Sequence, residues 1–203
     1  MTRKLYVLMS LFTALFVLTA CGGGAEVDEA ANETRTAPNG DRFNEADVAF
    51  ATDMIPHHAQ ALSMVDLTLE RDLDPEVQAL AEDIRDAQAP EIEQMTDWLT
   101  AWDEPVPETM RDHSNAEGGG GMEMDFDMPG MMSEDEMSAL GAAPDEEFQQ
   151  LFLEMMTEHH EGAIEMAQTE QSDGEFTPAI DLAETIESGQ QSEVDVMKDL
   201  LGS

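Results

Sequence analysis

The sequence predicts an all-α fold: a four-helix bundle built from two duplicated helical hairpins joined by a long irregular crossover. Three observations lead there. A block around a His-His pair recurs at an offset of 102 residues, so that Phe50, Met54, His57, His58, Ala61 and Met64 return as Phe152, Met156, His159, His160, Ala163 and Met166. The same offset relates Leu80, Glu82, Ile84, Gln88, Glu91 and Met95 to Leu182, Glu184, Ile186, Gln190, Glu193 and Met197, which marks a duplicated unit. Within each unit the apolar residues recur at helical spacing, and aromatics make up only 5% of the chain, thin for a sandwich or barrel.

The elements follow in order. Arg3 and Lys4 precede an apolar run from Leu5 to Val17, and Leu18-Thr19-Ala20-Cys21 follows. A short basic start, an apolar stretch and a small residue before the cut predict a signal peptide over residues 1–20, too short for a comfortable transmembrane helix. Leu-Thr-Ala-Cys resembles a bacterial lipobox. It predicts export to the cell envelope, cleavage before Cys21 and a lipid anchor on its thiol. Residues 21–42, rich in Gly, Ala, Glu and Asn, read as a flexible acidic tether.

The bundle is expected over residues 43–203. Hairpin one covers about 44–102. Its first helix starts at Asn44 or Glu45, ends near Glu70 and carries Phe50, Met54, His58, Ala61 and Val65 on one stripe. Pro56 is expected to kink it. Asp74 and Pro75 restart the chain as N-cap and first helical residue. The second helix presents Val77, Leu80, Ile84, Ile92, Met95 and Leu99, with Pro90 expected to interrupt it. The crossover spans about 103–143 and holds a short helix capped by Ser133, with Glu136 three residues on. Hairpin two covers about 144–201. Its first helix ends near Glu170, Ser172-Asp173-Gly174 makes the turn, and Thr177 and Pro178 are expected as N-cap and first helical residue.

Charge narrows the function. The chain has 46 acidic and 8 basic residues, a net charge of −38. Once Arg3 and Lys4 leave with the signal, the balance is about −40. Such a surface does not bind nucleic acid through its phosphates, but it attracts cations and stays hydrated in high salt. One Cys allows neither an intrachain disulfide nor a paired-cysteine zinc site.

The chemistry sits where polar residues break an apolar face. His58 falls near the centre of its stripe and His57 on the flank. On the partner helix Glu91 falls between Ile84 and Met95, with Gln88 beside it. Counting outward from the turn puts Gln88 level with the histidines and Glu91 near Met54. Hairpin two repeats this with His159, His160, Gln190, Glu193 and Met156. A carboxylate within a core face is costly without a partner. Inward His and Glu on four helices is how bundle metal sites are built. Here Met54 and Met156 stand three residues before His57 and His159, where di-iron bundles carry Glu. Thioether sulfur favours Cu(I), so copper is the expected ion, with zinc or iron as alternatives. Glu91 and Glu193 would orient the imidazoles or ligate a harder ion. His113, Met122, Met124, Met128, Met131 and Met132 add loose soft donors in the crossover.

The repeated Met-(Ile/Thr)-x-His-His-x-x-Ala-x-x-Met block, followed by the Glu-(Ile/Val)-x-x-Met helix, resembles the bacterial family known as domain of unknown function 305. The resemblance covers about Phe43 to the C-terminus. It implies a ferritin-like bundle, and for some exported members copper binding and copper resistance. It implies His57, His58, His159, His160 and the nearby Met54, Met64, Met156 and Met166 as ligands. The first block departs from the usual pattern, with Ala59-Gln60 where the second has Glu161-Gly162.

No nucleophile–base pair stands out. The leading reading is therefore a lipid-anchored envelope protein that binds copper for sequestration or tolerance. A metal-dependent redox enzyme of ferritin-like type and a metal-free structural domain are the alternatives. The expected partners are a metal ion and the membrane, with no nucleic acid; self-association stays open.

Overall fold

The computed structural model describes residues 33–109, 111 and 128–202. The expected signal peptide, Cys21, His113, Met122 and Met124 lie outside them. Four long helices form the molecule: α1 (Glu45–Asp66), α2 (Pro75–Trp102), α4 (Asp145–Asp173) and α5 (Thr177–Leu201). A short α3 (Glu134–Ala142) lies in the crossover, and an antiparallel pair, β1 (Arg35–Thr36) and β2 (Arg42–Phe43), precedes α1. The fold is all-α apart from this ribbon. No helix of the described residues is long and apolar enough to cross a membrane.

Each hairpin packs within itself, and the two join chiefly through α1 and α4. The apolar core divides into two clusters. One gathers Phe50, Met54 and Ile55 of α1, Met95 and Leu99 of α2, Ala163 and Ala167 of α4 and Ile186 of α5. The other gathers Met64 and Val65, Ile84, Phe152 and Met156, and Val194 and Met197. Each cluster thus takes the first half of one lead helix and the second half of the other, so α1 and α4 run antiparallel. His57, His58, His159 and His160 fall between the clusters, at the waist of the molecule.

Local chemistry sets the ends. Asn44 caps α1: its side chain accepts from the Ala46 and Asp47 N–H groups, and Asp47 accepts from the Asn44 N–H, a capping box. Ser133 and Glu136 form the same motif at α3. Asp74 precedes Pro75 at α2 as expected, without a side-chain cap bond.

Several expectations need correction. Pro90 does not interrupt its helix: α2 runs through it, as α1 runs through Pro56. Each removes a single backbone donor, and packing along the rest of a helix of 22 or 28 residues outweighs that loss. α1 stops at Asp66 rather than near Glu70. At α5 the N-cap is Phe176, Thr177 is the first helical residue and Pro178 the second. The tether does not extend to residue 42. The β1–β2 ribbon lies inside that stretch, Ala37 is buried, and Phe43 stacks on Trp102 with ring centres 4.5 Å apart. One buried aromatic anchors a segment whose composition gives no periodicity to read.

Candidate metal centre

The four histidines of the duplicated block are fully buried. α1 and α4 bring them together from opposite directions. The rings of His57 and His159, equivalent under the repeat, lie 3.8 Å apart, and those of His159 and His160 lie 6.3 Å apart.

The second helix of each hairpin supplies a carboxylate. His58 Nε2 donates to Glu91 Oε2 at 2.7 Å, and His160 Nε2 donates to Glu193 Oε2 at 2.7 Å. Glu91 therefore stands level with His58, one turn from the position counted from the sequence. The counting error of one turn is the uncertainty of the loop between α1 and α2. The carboxylates are not sealed in: Glu91 and Glu193 keep 15% and 18% side-chain exposure against zero for their imidazole partners. Each lines a groove between α2 and α5. Glu193 borders one of about 580 Å³ with Glu76, Asp83 and Asp199, and Glu91 borders one of about 450 Å³ with Asp181. The 102-residue offset relates the grooves: Glu76, Ala79, Leu80 and Asp83 of the first correspond to Pro178, Asp181, Leu182 and Thr185 of the second.

A third kind of contact comes from the crossover. Pro129 O accepts a hydrogen bond from His57 Nε2 at 3.1 Å. His159 has no counterpart. The His57 carbonyl lies near enough to bear on its protonation, yet neither of its ring nitrogens makes a hydrogen bond of normal geometry.

Electrostatics keep the central pair neutral. Burial, then the neighbouring His58, pulls the His57 pKa down to about 3. Burial, then His57 and His160, holds His159 well below the usual imidazole range. A neutral imidazole carries a lone pair on the nitrogen that lacks hydrogen, the form a metal needs.

The set includes several unmet polar atoms. Nδ1 of His57, His58 and His160, and both ring nitrogens of His159, are buried with no hydrogen-bond partner, as are the amides of Gln88 and Gln190. Each such atom costs about 1–3 kcal/mol. A cluster kept only for packing would lose that cost by apolar replacement, so the donor set fits a soft or borderline cation. Among the described residues, no three His, Cys, Asp or Glu side chains stand as a finished coordination shell.

The methionines sit beside the waist. Met54 lies in one apolar cluster, with Met166 packed partly buried against it, while Met64 and Met156 lie in the other. Among the described contacts none joins their sulfurs to an imidazole. The sequence reading missed Pro129 and Gly130, and noted Gln60 and Gly162 only as a departure between the blocks; all four shape the waist from the crossover side. The Pro-Gly pair was a readable turn signal.

The chain belongs to the family described as domain of unknown function (DUF305), whose model matches residues 47–201. Solved structures of similar proteins include a DUF305 fragment from Deinococcus radiodurans, 29% identical, with a TM-score of 0.66 over 83% of this chain and 99% of that one. A predicted secreted DUF305 protein from Streptomyces coelicolor is 33% identical, with a TM-score of 0.65 over 77% and 91% of the two chains. CopM in its Cu(II)-bound form is 30% identical, with a TM-score of 0.61 over 77% and 95%. CopM also matches in Cu(I)-bound and silver-bound forms at 27% identity. No curated protein matches the chain.

Proposed function

We propose, with membership of this family as the premise, that the protein binds a soft metal ion, copper in the first place, between its two hairpins. It holds that ion for sequestration at the cell envelope. The observation that carries the reading is the set of four buried imidazoles at the waist, each with an unpartnered Nδ1 and the central pair held neutral. His57, His58, His159 and His160 are the proposed ligands. Met54 and Met156, one turn away on the same helices, are the proposed soft donors, with Met64 and Met166 further along. Glu91 and Glu193 hold the imidazoles of His58 and His160, as acidic partners of ligating histidines commonly do. Imidazole accepts both copper oxidation states and thioether prefers Cu(I), so the donor types favour copper over zinc or iron. The metal-bound CopM structures support the same choice.

Two further parts of the reading concern place. The signal segment and the lipobox-like Leu18-Thr19-Ala20-Cys21 support export and anchoring through Cys21. Cys21→Ser should release the protein from membranes or leave an uncut precursor. An unchanged, processed, membrane-bound product would refute the anchor.

The metal reading is tested by competition titration of the metal-free mature protein with Cu(I). The His58→Ala, His160→Ala double variant should lose tight binding, while removal of residues 118–127 should remove only weaker, additional ions. If the double variant keeps full affinity and the deletion loses it, the site lies in the crossover.

A further inference from the structure

The two hairpins are equivalent in sequence, yet among the described residues the crossover hydrogen-bonds a histidine ring in one half only, at His57. Met128-Pro129-Gly130-Met131 forms a turn closed by the Met131 N–H on the Met128 carbonyl at 3.3 Å. Proline second and Gly130, at φ +74°, third is the residue pattern of a type II turn. The turn rests on α4 at Gly162. A Cβ there would stand 2.1 Å from Pro129 O and 2.7 Å from Gly130 N, and one on Gly130 would stand 2.6 Å from Glu158 O. Only a glycine–glycine contact permits this approach.

The repeat partner of Gly162 is Gln60. Its side chain grips the same segment: Gln60 Nε2 donates to Met132 O at 2.8 Å, and the Met132 N–H donates to Gln60 Oε1 at 2.7 Å. One of the positions at which the two His-His blocks differ is thus used twice to dock the crossover, once by a side chain and once by its absence. The Gln60 pair already fastens the segment. The close seat at Gly162 adds the placement of Pro129 O against His57.

We infer that Pro129 is a positioning residue that fixes the tautomer of His57. A carbonyl oxygen only accepts, so the hydrogen resides on Nε2, and Nδ1 keeps its lone pair. In their neutral forms His58 and His160 take the same tautomer, because a carboxylate, Glu91 or Glu193, accepts from Nε2. Three of the four imidazoles then offer Nδ1, which in all three is buried and unpartnered. His159, which lacks such a partner, is the ring free to adapt. The ligand class is a soft monovalent cation, Cu(I) or Ag(I). This inference rests on the metal-binding reading, but its first test needs no metal.

In that test, nitrogen-15 NMR of the imidazoles of the metal-free mature chain should show His57 as the Nε2–H tautomer. Gly162→Ala forces the turn off α4. It should move the His57 signals toward a mixed tautomer, leave those of His58 and His160 in place, and weaken Ag(I) binding by about tenfold to a hundredfold. Gln60→Ala, which loosens the other anchor, should act in the same direction and serves if the glycine variant does not fold. Finding His57 as the Nδ1–H tautomer in the wild-type chain overturns the inference. So does an unchanged tautomer in both variants, or a changed tautomer with unchanged Ag(I) affinity. If the wild-type chain takes up no silver, the metal reading fails, and the tautomer result is judged on its own.

Discussion

Glu170 is buried at the end of α4, beside the carboxylate of Asp47. Asp47 is a hub. It accepts the N–H groups of Asn44 at 2.6 Å, Glu175 at 3.1 Å and Phe176 at 2.9 Å, tying the start of α1 to the turn before α5. Burial first, then Asp47, raises the Glu170 pKa from 4.5 to about 9. The folded protein therefore holds a proton that the unfolded chain releases above pH 4.5. Stability should fall as pH rises between those values, by up to about 1.4 kcal/mol per pH unit from this group. Glu170→Gln removes the term. It should stabilise the protein at pH 8 relative to wild type and leave it little changed at pH 4. Chemical denaturation at the two pH values reads the difference, and parallel pH profiles would contradict the assignment. This network could not be read from the sequence, because Asp47 and Glu170 are 123 positions apart and look like two more acids in an acidic chain. The four histidines were legible because they recur at a fixed offset on an apolar stripe. The partner of His58 and of His160 was legible in kind, a glutamate on the second helix, but displaced by one turn.

Duplication made the long helices legible as elements. Ile84 and Ile186 are repeat equivalents, both buried, one in each apolar cluster. Replacing either by Ala should cost about 2–5 kcal/mol, and the two costs should be similar because the sites are. Thermal unfolding checks this; an unmoved midpoint for either variant would remove that face from the core. A cap was also legible where the capping-box spacing shows it, as at Ser133. Pro90 misled, because it lies in a helix whose packing outweighs one lost donor. The crossover was the least legible element. Its seat on α4 depends on Gly162 meeting Gly130, a contact that helical periodicity cannot express. Arg71 shows the same limit. It reaches from the α1–α2 loop to the carbonyls of Gly141 and Ala143 and lies 3.8 Å over the Phe148 ring, fastening α3 and α4.

Across the whole molecule, charge and symmetry set the behaviour. The six basic residues after the signal segment, Arg35, Arg42, Arg71, Arg85, Arg111 and Lys198, all form ion pairs with acids. Such exposed pairs contribute about 0–1 kcal/mol each, and most of the 46 acids stay unneutralised. Their repulsion is screened over about 10 Å at 0.1 M salt and about 3 Å at 1 M. The unfolding temperature should therefore rise from low to molar salt; a flat response would contradict the self-repulsion argument. The central claim is that the two halves share one metal site at the waist. It is tested most directly by counting tightly bound Cu(I) in the His57→Ala, His58→Ala variant, which leaves His159 and His160 intact. A shared site predicts loss of all tight binding. Retention of half the wild-type stoichiometry at unchanged affinity would mean that each hairpin binds alone, and would contradict it.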